Sequence, residues 1–142
     1  RNVLCCKDAN TVECNPKSND LIININSAQA ENVKNERYGG TMRLGAYDCI
    51  LKPGSLSRKL YGADKISERH RHRYEFDNKY RSEMEKHGML VAGVNPQSDL
   101  VEIIELKKHP FFVGVQFHPE FKSRFLQPHP LFVGLVKAAL KK

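Results

Sequence analysis

Two residues apart, on either side of a proline, stand an imidazole and a carboxylate: His118-Pro119-Glu120. An imidazole takes and returns a proton near neutral pH. A carboxylate two residues on can accept a hydrogen bond from the second ring nitrogen, which fixes the tautomer and stabilises the imidazolium form. Pro119 restricts the backbone of the residue before it and so holds the pair in one geometry. Such a base needs a nucleophile. Ser123 sits in Lys-Ser-Arg with no sharp small-residue turn around it, and none of Cys5, Cys6, Cys14 and Cys49 lies on the small-residue strand-to-helix turn that a nucleophile elbow requires. If His118 and Glu120 are catalytic, their nucleophile is expected outside this chain. Taken alone, a His beside a Pro is more often part of a structural loop.

A second constellation is Glu68-Arg69-His70-Arg71-His72-Arg73-Tyr74-Glu75-Phe76. In an extended chain the alternation puts three guanidiniums on one face and two imidazoles on the other. A guanidinium makes a bidentate clamp on a carboxylate or phosphate. The same pattern also suits an edge strand guarded by charge, and composition leaves both readings open.

The elements that must position these groups follow from periodicity. Phe111–Phe117 is an apolar run that ends at His118-Pro119 and predicts a buried strand, so the candidate pair would stand at a strand's carboxyl end, where open α/β sheets bind ligands. Leu21–Ile25 predicts a short strand, and alternation over Met42–Ile50 predicts another. Met89–Val94 and Leu100–Leu106, joined by Asn95-Pro96-Gln97-Ser98-Asp99, predict a hairpin. Ser55 can cap a short helix through Leu60 that Gly62 stops. Asn78 reads as the N-cap of a helix ending at Gly88. Leu131, Phe132, Leu135, Val136, Ala139 and Leu140 give a final helix one apolar face. Arg1–Cys6 reads as the last turn of a helix, and polar Asn26–Arg37, closed by Gly39-Gly40, as a loop. Strands mixed with helices indicate a layered α/β architecture.

The chain has 142 residues, one domain's worth. No uniform 18-residue apolar run exists, which excludes a membrane-spanning helix, and no secretory leader opens the chain. Because the first residue is Arg1 rather than Met, a piece of a longer protein is expected. The four cysteines fit neither a disulfide framework nor a Cys-x-x-Cys metal site, so free thiols in a reducing cytoplasm and no bound metal are expected. The net charge of +7 is uneven: residues 58–81 carry eight Lys/Arg against four Asp/Glu, and residues 121–142 carry five Lys/Arg and no acid. Such stretches attract phosphate groups; a solvated surface, with Lys137, Lys141 and Lys142 complementing a helix dipole, is the plainer reading of the last stretch.

Several blocks in order resemble the CTP synthase family. They are Gly39-Gly40-Thr41-Met42-Arg43-Leu44-Gly45, the Glu68–Glu75 run, Val101-Glu102-Ile103-Ile104-Glu105, His109-Pro110-Phe111-Phe112, Val115-Gln116-Phe117-His118-Pro119-Glu120-Phe121-Lys122-Ser123-Arg124 and His129-Pro130-Leu131-Phe132. Gln-Phe-His-Pro-Glu alone would indicate a class I glutamine amidotransferase; the Arg-His run and the Gly-Gly-Thr-Met-Arg-Leu-Gly block narrow the resemblance. It implies a three-layer, flavodoxin-like α/β fold, of which residues 1–142 would be the C-terminal half of the glutaminase domain. It implies glutamine hydrolysis by a Cys-His-Glu triad, with ammonia passing to a synthase domain that makes CTP from UTP with ATP and Mg; GTP activates the full enzyme. His118 and Glu120 resemble the triad's His and Glu. Arg73 resembles the arginine that holds the glutamine α-carboxylate, and Glu13 the carboxylate that binds its amino group. Implied partners are glutamine, the rest of the glutaminase domain bearing the catalytic Cys, the synthase domain and further copies of the full enzyme, with neither nucleic acid nor membrane.

The chain also departs from the family. The Gly-x-Cys-x-Gly nucleophile turn and the synthase domain are absent, so this polypeptide alone is expected to be inactive. Asn10-Thr11-Val12-Glu13-Cys14 stands where members often read Asn-Ser-Thr-Glu-Phe, and Asn26–Arg37 corresponds to the family's variable lid, for which no GTP contact is carried over. Competing readings are another class I amidotransferase, against which the Arg-His run argues, and a basic module binding nucleic acid, against which the split of charge between segments argues.

Overall fold

The computed structural model describes residues 1–25 and 42–141. The readings of Asn26–Arg37 as a loop and of Gly39-Gly40 as its close lie outside the described residues. Among the described residues eight strands form: β1 (Asn10–Thr11), β2 (Leu21–Ile25), β3 (Arg43–Leu51), β4 (Lys65–His72), β5 (Tyr74–Phe76), β6 (Met89–Val94), β7 (Val101–Leu106) and β8 (Val113–Val115). Three α-helices lie among the same residues: α1 (Leu56–Tyr61), α2 (Arg81–Lys86) and α3 (Pro130–Ala139).

Five strands make one sheet in the order β4-β3-β6-β7-β8, paired antiparallel throughout, and β1-β2-β5 make a smaller one. One face of the large sheet packs Cys49, Leu51, Ala92, Ile103 and Phe117 against Leu60 of α1 and Leu131 of α3. The opposite face packs Val91 and Val101 against Ile22, Ile23 and Phe76 of the small sheet and Met84 of α2. The result is three layers, the α/β layering that the alternation of elements predicted. The helix layer fits closely: a Cβ on Gly134 of α3 would stand 2.7 Å from Leu60 Cδ1.

Local signals explain most boundaries. The Ser55 side chain accepts from the Arg58 N–H to start α1, and Gly62 ends it with φ 65°. The Glu105 carboxylate on β7 accepts from the Leu56 and Ser57 N–H groups at 2.9 and 2.7 Å, a charge placed where the helix dipole favours it. Asn95 organises the β6–β7 loop by accepting from Gln97 N and Ser98 N.

Three expectations need correction. Arg1–Cys6 forms turns rather than a helix end, and Cys5 adopts φ 56°, outside the right-handed helical region. The cap before α2 is Asp77, not Asn78; its carboxylate accepts from Lys79 N and starts a 3-10 turn over Asn78–Tyr80, with α2 following. The strand expected over Phe111–Phe117 narrows to Val113–Val115, because only those residues pair with β7, and Phe112 is half exposed. The candidate pair does stand past the carboxyl end of its strand, β8, which is an antiparallel edge strand of the large sheet. The apolar stripe of α3 exists, yet only Leu131 and Gly134 are buried, while Leu135 and Val136 are exposed.

Candidate active site

His118 follows the last core residue of its strand segment, Phe117, and precedes a 3-10 turn over Pro119–Phe121. Its backbone N–H donates to the Arg69 carbonyl on β4 at 2.9 Å, and Lys122 Nζ donates to the Ser67 carbonyl at 2.6 Å, so the turn is fastened along the outer edge of β4. The imidazole stacks on Phe121 with ring centroids 4.9 Å apart. Its Nδ1 lies 2.7 Å from Glu120 Oε1. A carboxylate only accepts, so the proton belongs on Nδ1 and Nε2 is left to exchange a proton with whatever binds. His118 is 38% exposed and Glu120 56%, so the ring is reachable from solvent. Glu120 is held below the usual carboxylate range, first by its own backbone N–H and then by His118.

The other two candidates stand on the small sheet. Glu13 is exposed in the turn after β1, its N–H donating to Thr11 Oγ1 at 3.3 Å. Arg73 is half-buried between β4 and β5. Because β1 runs parallel to β2 (Thr11 opposite Ile23) and β2 antiparallel to β5 (Ile25 opposite Tyr74), Glu13 and Arg73 fall at the same end of that sheet. The hydrogen bond joins His118 with Glu120; Glu13 and Arg73 share an end of the small sheet.

A buried polar cluster that sequence reasoning missed links the large sheet to β5 of the small one. Arg43 Nη2 donates to Glu102 Oε1 at 2.5 Å, and its Nη1 lies 3.7 Å from Glu75 Oε2. Gln116 Nε2 donates to Glu75 Oε2 at 2.8 Å and to the Val101 carbonyl at 2.6 Å. His72 Nδ1 donates to the Tyr74 carbonyl at 3.1 Å, which leaves Nε2 to accept from His70 Nδ1 at 2.8 Å. His70 therefore turns a bare Nε2 toward Glu102 Oε2, 3.6 Å away. Burial first, then the Arg43 charge, lowers His70 to about 3 and His72 to about 4. Burial lifts Glu75 to about 7, Arg43 opposing, and lifts Glu102 against the same guanidinium. The one available signal was Glu102 itself, a carboxylate inside the apolar run Val101–Ile104, since a charge is buried only with a partner.

The Arg-His run lies on an edge strand of the large sheet, as one of its two readings had it. His70 and Glu68 point inward, while Arg69 and Arg71 are exposed on an edge strand. With Lys122 and Arg124 they line an open cleft of about 790 Å³ beside the His118 turn. Glu68 Oε1 accepts from Tyr61 Oη and His129 Nε2, both at 3.0 Å, and His129 Nδ1 accepts from Leu131 N to start α3. Cys49 is in the core, its thiol pushed up to about 12 by burial, so it supplies no thiolate. Among the described residues no three His, Cys, Asp or Glu side chains gather as they would round a metal ion, and no helix is long and apolar enough to cross a membrane.

Residues 18–138 match the family described as glutamine amidotransferase class-I. The chain belongs to that family. CTP synthases cover nearly all of it: that of Cytophaga hutchinsonii is 57% identical over 139 residues, 98% of this chain and 25% of the relative, and that of Christiangramia forsetii is 55% identical over the same shares. The chain therefore spans about a quarter of the length of these relatives. Among solved structures, the Trypanosoma brucei CTPS glutaminase domain with bound acivicin superposes with a TM-score of 0.89 at 34% identity, covering 100% of this chain and 54% of that one. The mixed α/β layers are those of a class I amidotransferase domain, as the resemblance implied.

Proposed function

We propose that this chain is the His- and Glu-bearing part of the glutaminase domain of a CTP synthase, in which a Cys-His-Glu triad hydrolyses glutamine and the ammonia aminates UTP to CTP with ATP. The observation that carries the reading is the 2.7 Å contact between His118 Nδ1 and Glu120 Oε1 at a solvent-reachable ring. The match of the whole chain to CTP synthases supports it. The sequence contains no Gly-x-Cys-x-Gly turn. In this reading the cysteine comes from such a turn elsewhere in the glutaminase domain, residues 1–142 form the part C-terminal to it, and this segment by itself is inactive.

The thiolate adds to the side-chain amide carbon of glutamine. His118 Nε2–H protonates the departing nitrogen, ammonia leaves and a thioester remains. The now neutral ring takes a proton from water, the hydroxide adds to the thioester, glutamate leaves and the thiolate returns. Glu120 keeps Nδ1–H oriented and stabilises the imidazolium that faces the thiolate before ammonia leaves and forms again when water is deprotonated. Arg73 and Glu13 read the α-carboxylate and α-amino group of glutamine, one charge each. ATP and Mg belong to the synthase part, GTP activates the whole, the full enzyme associates with further copies of itself and it works in the cytoplasm.

The test uses a complete enzyme bearing this segment. His118→Ala should lower glutamine-dependent CTP formation by about 10²- to 10⁴-fold and leave the reaction fed by free ammonia unchanged. Glutamine-dependent activity at the wild-type level in that variant would overturn the reading.

A further inference from the structure

The reactive imidazole stands on a weak support. β8 is only three residues long, and beyond Val115 no strand ladder holds the chain. Three contacts take over within three residues. The Gln116 N–H donates to the Glu102 carbonyl at 3.0 Å, Phe117 is buried in the core, and the His118 N–H donates to the Arg69 carbonyl. One side chain adds to this set. Gln116 Nε2 carries two N–H groups, and each has its own acceptor, the Val101 carbonyl and the Glu75 carboxylate. Both acceptor residues are 2% exposed. A carboxamide offers two donors from one nitrogen without bringing a charge into the interior. An apolar side chain would leave two buried acceptors without their donor, and a carboxylate would face two further acceptors.

We propose that Gln116 is a positioning residue for His118: its carboxamide, clamped between Glu75 and the Val101 carbonyl, sets the direction in which the His118 ring leaves the sheet. The proposal rests on the glutaminase reading above, because only that reading gives the ring a task. Gln116 touches no reacting atom; it acts through the backbone two residues on. Misplacing a catalytic group by about 1 Å costs on the order of 10²-fold in rate. Losing the clamp should therefore reduce turnover while leaving the α-carboxylate and α-amino contacts, which lie on the small sheet, intact.

The experiment compares Gln116→Met, Gln116→Glu and His118→Ala in the complete enzyme, with ammonia-dependent synthesis as the control for folding. Gln116→Met should lower kcat for glutamine hydrolysis by about 10- to 100-fold, with KM for glutamine within about twofold. Gln116→Glu should be impaired at about pH 8 and recover toward about pH 6, because a protonated carboxyl again offers a donor. The charged and titratable groups around it are Glu75 on β5, Arg43 on β3, Glu102 on β7, and His70 and His72 on β4; Gln116→Met, sharing all of these, should not recover. Wild-type kcat in Gln116→Met, with His118→Ala inactive, overturns the positioning role and leaves the glutaminase reading standing. Activity in His118→Ala overturns that reading, and the positioning role with it. Should Gln116→Met lose the ammonia-dependent reaction as well, Gln116→Asn reads the same contact: one methylene shorter, it cannot reach both acceptors, and a kcat equal to wild type there counts against the proposal while a fall at constant KM supports it.

Discussion

The chain holds imidazole–carboxylate pairs in two settings, and the settings assign them opposite work. His118 and Glu120 meet at 2.7 Å in a turn open to solvent, where the carboxylate stays ionised and the second ring nitrogen is free to exchange a proton. His70 and His72 face Glu102 and Glu75 inside the protein, where burial drives both rings neutral and both carboxyls upward. The residue types are the same; the dielectric around them is not. A pair meant to move protons must keep one ring nitrogen in reach of water or substrate, whereas a pair meant to hold strands together can give up its titration in exchange for directed hydrogen bonds.

The sharpest way to break this contrast is to remove one carboxylate from each setting. Glu102→Leu takes from Arg43 its closest partner in a site that is 5% exposed, and it should destabilise the protein by about 3–5 kcal/mol. The measurement is a urea unfolding midpoint for the complete protein. A loss below about 1 kcal/mol would mean that Glu75, at 3.7 Å, suffices to hold the guanidinium, and the buried cluster would then count for little.

How far each setting could be read from the sequence follows the same division. Glu120 is two residues from His118, so the contact needs only local backbone geometry, and the pairing was legible. The caps of α1 and the β6–β7 hairpin were legible for the same reason, since Ser55, Gly62 and the Asn95 turn act within a few residues. The buried cluster joins residues 59 apart (Arg43 and Glu102) and 41 apart (Gln116 and Glu75). Those contacts depend on the order β4-β3-β6-β7-β8 and on the packing of the small sheet over it, and neither is encoded in any short window. Hydrophobicity likewise overstated the Phe111–Phe117 strand, because pairing with β7 rather than apolar content set its length.

A smaller effect sharpens the comparison through pH. Glu75 is raised from 4.5 to about 7, so the folded protein binds its proton more tightly than the unfolded chain does. That contribution to stability is fully present below pH 4.5 and is lost as pH rises through about 7. His70 and His72 act in the other direction. Lowered from 6.5 to about 3 and about 4, they contribute stability above pH 6.5 that is lost as pH falls toward those values. The two slopes oppose each other between 4.5 and 6.5, and above 6.5 the two imidazoles no longer oppose Glu75. Glu75→Gln cannot ionise, so its stability relative to wild type should rise from about pH 5 to about pH 8, followed by unfolding free energy at each pH. A constant difference across that range would show that Glu75 ionises in the folded protein as it does in the unfolded chain.

The smallest effect on stability belongs to the exposed pair, and it carries the most information about work. Glu120→Gln removes a charge at a site open to water, so the urea unfolding midpoint should stay at the wild-type value. Its amide can still accept from Nδ1, so the ring keeps its tautomer and direction. What it loses is the charge that stabilises the imidazolium formed when His118 takes its proton. Glutamine-dependent activity of the complete enzyme should therefore fall by about 10- to 100-fold, on kcat, while the ammonia-dependent reaction stays level. The paired readouts discriminate: a variant that unfolds early and loses both reactions would put Glu120 with the structural carboxylates of the interior, and one that keeps full glutamine-dependent turnover would reduce the 2.7 Å contact to a loop brace.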